Sequence, residues 1–285
     1  MPPSQNHRYT YRPMTAGDVP AAHALSVQLK WPHRLDDWAM LQRVAEGFVV
    51  EDAGRLIGTG FSCQQGDYAT IGLVIVSDDY QGQGIGRKLM EQALQACGSA
   101  TAILNATLAG VPLYASQGFI EFGQIHQHQG NVQHLERPSL VAGEHCRASS
   151  ANDWPRLLEL ANAGSGLDRT RVLKDLHDAI EQTAVIERDG QLCAFAMLRV
   201  FGRGHVIGPI VAETPEQAKY LIAELLEPVQ GQFVRLDVVA ESGFGDWLSD
   251  AGLQQVDSVA QMVRGTPPEP AAGLRQFALV TQAIG

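Results

Sequence analysis

The order of predicted elements repeats along this chain of 285 residues, and that repeat limits the folds open to it. Tyr9 to Arg12 reads as a short strand, and Thr15-Ala16-Gly17-Asp18 leads into a helix carrying Val19, Ala22, Leu25 and Leu29. A second helix is predicted over 36–45, then strands over 47–51, 55–64 and 69–76, a helix over 85–96 and a strand over 101–104. A short helix near Pro112 to Ser116 and a strand pair spanning 119–134 complete the first half. The pattern then starts again: strand 144–148, helices 153–161 and 170–180, strands 183–188, 191–201 and 205–212, helix 215–226 and strand 233–239. Arg137-Pro138-Ser139 suits a linker, because proline discourages continuation of either element. Two domains are therefore expected, 1–137 and 138–285, each an α/β layer fold with a mixed, mainly antiparallel sheet flanked by helices.

The densest local signal is Gln81-Gly82-Gln83-Gly84-Ile85-Gly86, between the apolar run Ile71 to Val76 and the helix over 85–96. Glycines there let backbone N–H groups approach a ligand, and the helix start adds its positive end, so phosphate is the expected ligand. A Walker A loop is excluded, since no Gly-Lys-Ser/Thr follows. A dinucleotide fingerprint fits poorly. The glycines fall at 82, 84 and 86, Arg87 holds the third-glycine position, and the neutral Asn105 stands where a ribose-binding acid is expected.

A third reading accommodates the surroundings. The loop has the Q/R-x-x-G-x-G/A form and follows Leu73-Val74-Ile75-Val76, while Leu113-Tyr114-Ala115-Ser116-Gln117-Gly118-Phe119 lies downstream in an L-Y-x-x-x-G-F pattern. In these three features the chain resembles the GNAT superfamily of N-acetyltransferases over residues 7–135, and more loosely beyond. Leu104 to Pro112 is similar to a variant found in members with a second, C-terminal acetyltransferase-like domain. The resemblance implies acetyl-CoA as co-substrate. Gln81, Gly82, Gln83, Gly84, Ile85, Gly86 and Arg87 would hold its pyrophosphate, and Leu73, Val74, Ile75 and Val76 its pantetheine arm. The Val74 N–H would face the thioester oxygen. Tyr114 matches the family position that returns a proton to the departing thiolate.

No general base is assigned. The strand before the loop holds no carboxylate, and Asp67 and Glu51 read as solvated turn or edge residues. Trp31, His33 and Asp37 lie in the helix-loop-helix region that covers the acceptor site in this superfamily, and an aromatic and acidic lining suits a cationic amine. A cap at Asp36 with buried tryptophans explains the same residues without a ligand. His126 and His128 share one strand face, read as solvated; with no third ligand, no metal is expected.

The second half lacks both diagnostic features. After Val206-Ile207-Gly208-Pro209-Ile210-Val211 the chain reads Ala212-Glu213-Thr214-Pro215, with no glycine and a ready-made cap. Leu248 stands where the first half has Tyr114. A degenerate C-terminal domain follows, left to shape the acceptor pocket or to pair subunits in a homodimer. Phe277-Ala278-Leu279-Val280 reads as a strand docked into a sheet.

A formal net charge of −10 without a basic cluster argues against nucleic acid. No apolar run approaches the roughly 20 residues of a membrane span, and Met1 to Asn6 has no signal-peptide core. Four scattered cysteines read as reduced thiols, so a cytoplasmic enzyme is expected, acting on a small-molecule or protein amine. A coenzyme A-responsive binding protein without catalysis is the alternative, since the missing base leaves room for it.

Overall fold

A computed structural model describes residues 8–285; the Met1 to Asn6 reading lies outside it. The first half runs β1 (Tyr9–Pro13), α1 (Val19–Gln28), α2 (Leu35–Val44), β2 (Glu46–Asp52), β3 (Arg55–Gln65), β4 (Tyr68–Val76), α3 (Ile85–Ala96), β5 (Thr101–Ala106), α4 (Val111–Ala115) and β6 (Ile120–Asn131). The second runs β7 (Glu144–Ala148), α5 (Trp154–Ser165), α6 (Thr170–Leu176), β8 (Ile180–Arg188), β9 (Gln191–Phe201), β10 (Gly204–Ala212), α7 (Pro215–Leu226), β11 (Phe233–Val239), α8 (Gly245–Asp250), β12 (Gln254–Arg264) and β13 (Arg275–Ala278).

All thirteen strands join one sheet, in the order β1-β2-β3-β4-β5-β12-β6-β11-β13-β10-β9-β8-β7. The two halves exchange strands. β12, from the second half, lies between β5 and β6 of the first, while β6 lies between β12 and β11. The expected strand pair over 119–134 is therefore one long strand, a correction with a physical cause: both of its edges are satisfied by β11 and β12, so it needs no hairpin partner of its own. Sheet pairing accordingly continues across the predicted linker at Arg137-Pro138-Ser139.

The core crosses the halves as well. Leu25 of α1 and Trp38 and Leu41 of α2 share one buried cluster with Leu157 and Leu160 of α5 and Leu173 of α6. On the opposite face α3 buries Ile85, Leu89 and Ala93, spaced four apart as a helical stripe requires. There α7 buries Ala218, Leu221, Ile222 and Leu225 over β9 and β10.

Strand β4 positions the site. It pairs in parallel with β5 only from Tyr68↔Thr101 to Ile71↔Leu104, after which the two strands diverge. Against β3, Phe61 faces Gly72 and Thr59 faces Ile75, so Leu73 and Val74 together oppose Gly60. This is a β-bulge, and Leu73 carries it at φ +48°, a conformation costly for a residue with a Cβ. The Thr59 hydroxyl donates to the Leu73 carbonyl at 2.8 Å and holds the bulge.

β10 repeats the arrangement. It pairs in parallel with β11 only at His205↔Val234 and Val206↔Arg235, and its own register slips between Ile207 and Ile210. Here the opening is filled. β13 runs between β10 and β11, matching Ile210↔Ala278 on one side and Val238↔Ala278 on the other.

Candidate active site

The loop from Gln81 to Gly84 lies at the open end of β4. Gly84 caps α3 at φ +80° with no side-chain cap, and Gly82 also has positive φ, at +74°. That conformation is costly for non-glycine residues, and no side chain caps the helix start, where the N–H groups of Ile85, Gly86 and Arg87 lie. Gln81 braces the turn: its Nε2 donates to Asp78 Oδ1 at 2.8 Å and to the Val76 carbonyl at 3.3 Å. Gln83 accepts from the Tyr9 hydroxyl, and Arg87 reaches Ser116 Oγ at 3.4 Å.

Three of the predicted segments converge. A Cβ at Gly86 would lie 3.7 Å from Val76 Cγ2 and 3.8 Å from Leu113 Cδ2, so the loop meets the end of β4 and the start of α4. Val74 and Tyr114 pack on one cluster that includes Phe119 and Ala106. Tyr114 stacks edge-on against Phe119, 6.2 Å between centroids, and its partial burial pushes the phenol up to about 12. It is protonated at neutral pH.

On the other side of the bulge is a cavity of about 130 Å³. Trp31, His33, Gly72, Leu73, Asn105 and Gln127 come from the first half; Phe201, Arg235, Asp257 and Gln282 are among those from the second. Of the acceptor-site expectations, Trp31 and His33 line this cavity. Asp37 does not. It is buried at the start of α2, accepting from the Arg34 N–H at 2.7 Å, from Arg34 Nη2 at 3.1 Å and from the Gly202 N–H at 3.2 Å. The carboxylate that caps the start of α2 is thus Asp37 rather than Asp36, and it is structural. Trp38 is fully buried, with its indole N–H on Ser26 Oγ at 3.0 Å.

His33 stands between aromatic rings, 5.7 Å from Phe201 and 6.3 Å from Trp38. Burial, reinforced by the nearby Arg235 cation, pushes its pKa down to about 4, so the imidazole is neutral at ordinary pH. Neither ring nitrogen has a partner among the described residues; Nδ1 is sealed from solvent and Nε2 is not. The other early carboxylates are occupied or remote: Glu51 pairs with Arg12, and Asp67 is an exposed turn residue.

A segment that sequence reasoning did not place at the site completes it. Beyond β13 the chain from Leu279 to Ala283 passes from the second half's filled opening to the first half's bulge. The Leu279 carbonyl lies 2.0 Å from where a Cβ would stand on Gly208, and the Ala283 carbonyl 2.2 Å from the same point on Gly72. Only glycine admits so close a backbone. Two arginines, each 2% exposed, pin this segment at 2.7 Å: Arg199 on the Val280 carbonyl and Arg169 on the Ile284 carbonyl. Asn105 adds a bond to the Gln282 carbonyl at 2.8 Å. Arg169, from the Gly166-Leu167-Asp168-Arg169 stretch, also reaches Gln65 across the halves at 2.7 Å.

His126 and His128 do share a face of β6, with rings 6.5 Å apart. That face is not solvated at His128, which is fully buried and bonded through Nδ1 to the Leu253 carbonyl at 3.1 Å. The strand exchange covers it. Among the described residues no group of three or more metal-ligating side chains is clustered to hold a metal, and no helix is long and apolar enough to cross a membrane.

In the second half each equivalent feature is closed. Thr214 caps α7, accepting from the Gln217 N–H at 3.2 Å; Glu213 pairs with Arg188 at 2.7 Å; and Leu248 is fully buried.

The acetyltransferase (GNAT) domain family matches residues 157–278 in one form and 27–135 in another. The chain belongs to that family, with two GNAT domains in tandem. It is 28% identical over 223 residues to the uncharacterized N-acetyltransferase YitH of Bacillus subtilis (strain 168), covering 77% of this chain and 78% of that protein. Its fold is shared by a GCN5-related N-acetyltransferase from Sphaerobacter thermophilus (TM-score 0.68, 14% identity, 93% of this chain and 98% of that one). A tandem GNAT protein from the clavulanic acid biosynthesis pathway also superposes (TM-score 0.65, 15% identity, 92% and 99%). The mixed, mainly antiparallel sheet flanked by helices is thus the tandem GNAT fold.

Proposed function

We propose that this tandem GNAT protein is an acetyl-CoA-dependent N-acetyltransferase with one working centre, in its first half, where an amine attacks the thioester directly. The observation that carries the reading is the contrast between the two openings. In the first half β4 and β5 diverge beside an uncapped helix start; in the second the same opening holds β13 and the helix start is capped. The residues present suit the coenzyme: positive-φ glycines, free N–H groups at α3 and no carboxylate on β4.

Acetyl-CoA supplies the activated acyl group. The chain's residues do the rest. Leu73 and Val74, turned by the bulge, present backbone polar groups at the cleft, where an N–H stabilises charge on the carbonyl oxygen. The amine nitrogen forms the new C–N bond, the C–S bond breaks, and Tyr114 gives its phenolic proton to the departing sulfur. His33 Nε2 is the cavity nitrogen suited to accept the proton that the amine loses. Calorimetry with acetyl-CoA tests the reading; one coenzyme per chain is expected, and no binding by folded protein, or two per chain, contradicts it.

A further inference from the structure

Resting on that reading, we infer that the acceptor carries a carboxylate as well as its amine, and that Arg235 recognises the carboxylate. Arg235 lies on β11 and is 7% exposed. Its Nε and Nη2 are fixed by Asp237, at 3.1 and 2.9 Å. Nη1 donates to no described protein atom, yet it is not sealed off, and the residue lines the cavity that also holds His33 and Leu73. A guanidinium held rigidly by one carboxylate, with one donor edge toward a cavity, is arranged for a second.

The surrounding charge points the same way. Arg199 and Arg235 flank the ring of Phe201, with Cζ 5.1 and 5.6 Å from its centroid. Asp237 neutralises Arg235, whereas Arg199 has no carboxylate within ion-pair distance; Asp37 is taken by Arg34. The wall behind Phe201 therefore holds three guanidiniums against two carboxylates, one positive charge in excess. A ligand carboxylate would compensate it where solvent does little. Asp257 also lines the cavity, but it is exposed, accepts from the Ser258 N–H at 2.8 Å and makes no ion pair with Arg235; water screens it. A bound carboxylate would also offset the Arg235 cation, which comes second to burial in holding the His33 imidazole down.

The test uses L-amino acids and their carboxamides as paired probes, each pair differing only in the carboxylate. Saturation-transfer NMR on the full chain reads binding, and thiol release reads turnover. At least one acid is expected to bind and react at least about tenfold better than its amide. Replacing the ion pair together, Arg235→Gln with Asp237→Asn, creates no new unpaired buried charge and should bring that ratio below about threefold; Arg235→Lys should retain part of it. Equal or better amides, no bound acid, or a preference that survives the double substitution would each overturn the inference. Loss of acetyl-CoA binding is a separate result. It would refute the acetyltransferase reading, while the NMR comparison would still decide the carboxylate question.

Discussion

Tyr114 and His33 show how one kind of environment shifts two side chains in opposite directions. Burial disfavours charge, so it raises the phenol and lowers the imidazole. Replacing Tyr114 by Phe should lower kcat by about 10²-fold or more while leaving the acetyl-CoA Kd unchanged; an unaltered kcat would remove it from the mechanism. His33 also predicts a pH dependence of stability. Its folded pKa lies near 4 and its unfolded value near 6.5, so the unfolded state takes up the proton first as pH falls. The stabilisation is present above about pH 6.5 and is lost on descent toward pH 4, on the order of 3 kcal/mol at most. Denaturant titrations at pH 7.5, 5.5 and 4 should show a steeper decline for the parent than for His33→Gln. Equal declines would place the lost stability elsewhere.

At the scale of elements, the site depends on two backbone features that glycine permits. Gly84 starts α3 at φ +80°; alanine there should cost about 1 kcal/mol and weaken acetyl-CoA binding severalfold, read by calorimetry. Gly72 is different, because its constraint is space. A Cβ would stand 2.2 Å from the Ala283 carbonyl, so Gly72→Ala must push the terminal segment out of the cavity wall. The expected result is a loss of about 1–3 kcal/mol in stability and a raised KM for the amine, with coenzyme affinity little changed. An unperturbed KM would show that this segment does not shape the acceptor cavity.

Across the whole molecule, strand exchange makes the halves interdependent. A fragment ending at Arg137 lacks β12 and leaves facing edges of β5 and β6 unpaired, so it should aggregate or unfold without cooperativity. Co-expression with the complementary fragment should restore a folded pair that co-purifies. Cooperative unfolding of the isolated first fragment as a monomer would show that the exchange is dispensable. The proposed acceptor cavity follows the same logic, because Leu73 and His33 reach it from one half and Arg235 and Gln282 from the other.

The sequence by itself determined whatever local chemistry encodes. Positive-φ glycines mark the loop before α3, Thr214-Pro215 marks the cap of α7, and a buried Leu248 stands where the first half has Tyr114. Each is legible because it depends on a few adjacent residues. Tertiary structure decided what depends on distant ones. The reading of 119–134 as a strand pair failed because the partners of β6 lie more than 100 residues away, and β12, absent from the sequence reading, is one of them. His128 read as solvated because alternation gives a residue's face but not what covers it. The cavity was hidden for the same reason: Arg235 and the segment at Gln282 meet His33 only after the sheet has joined both halves, since hydrogen-bonded edges and buried apolar area act through space rather than along the chain.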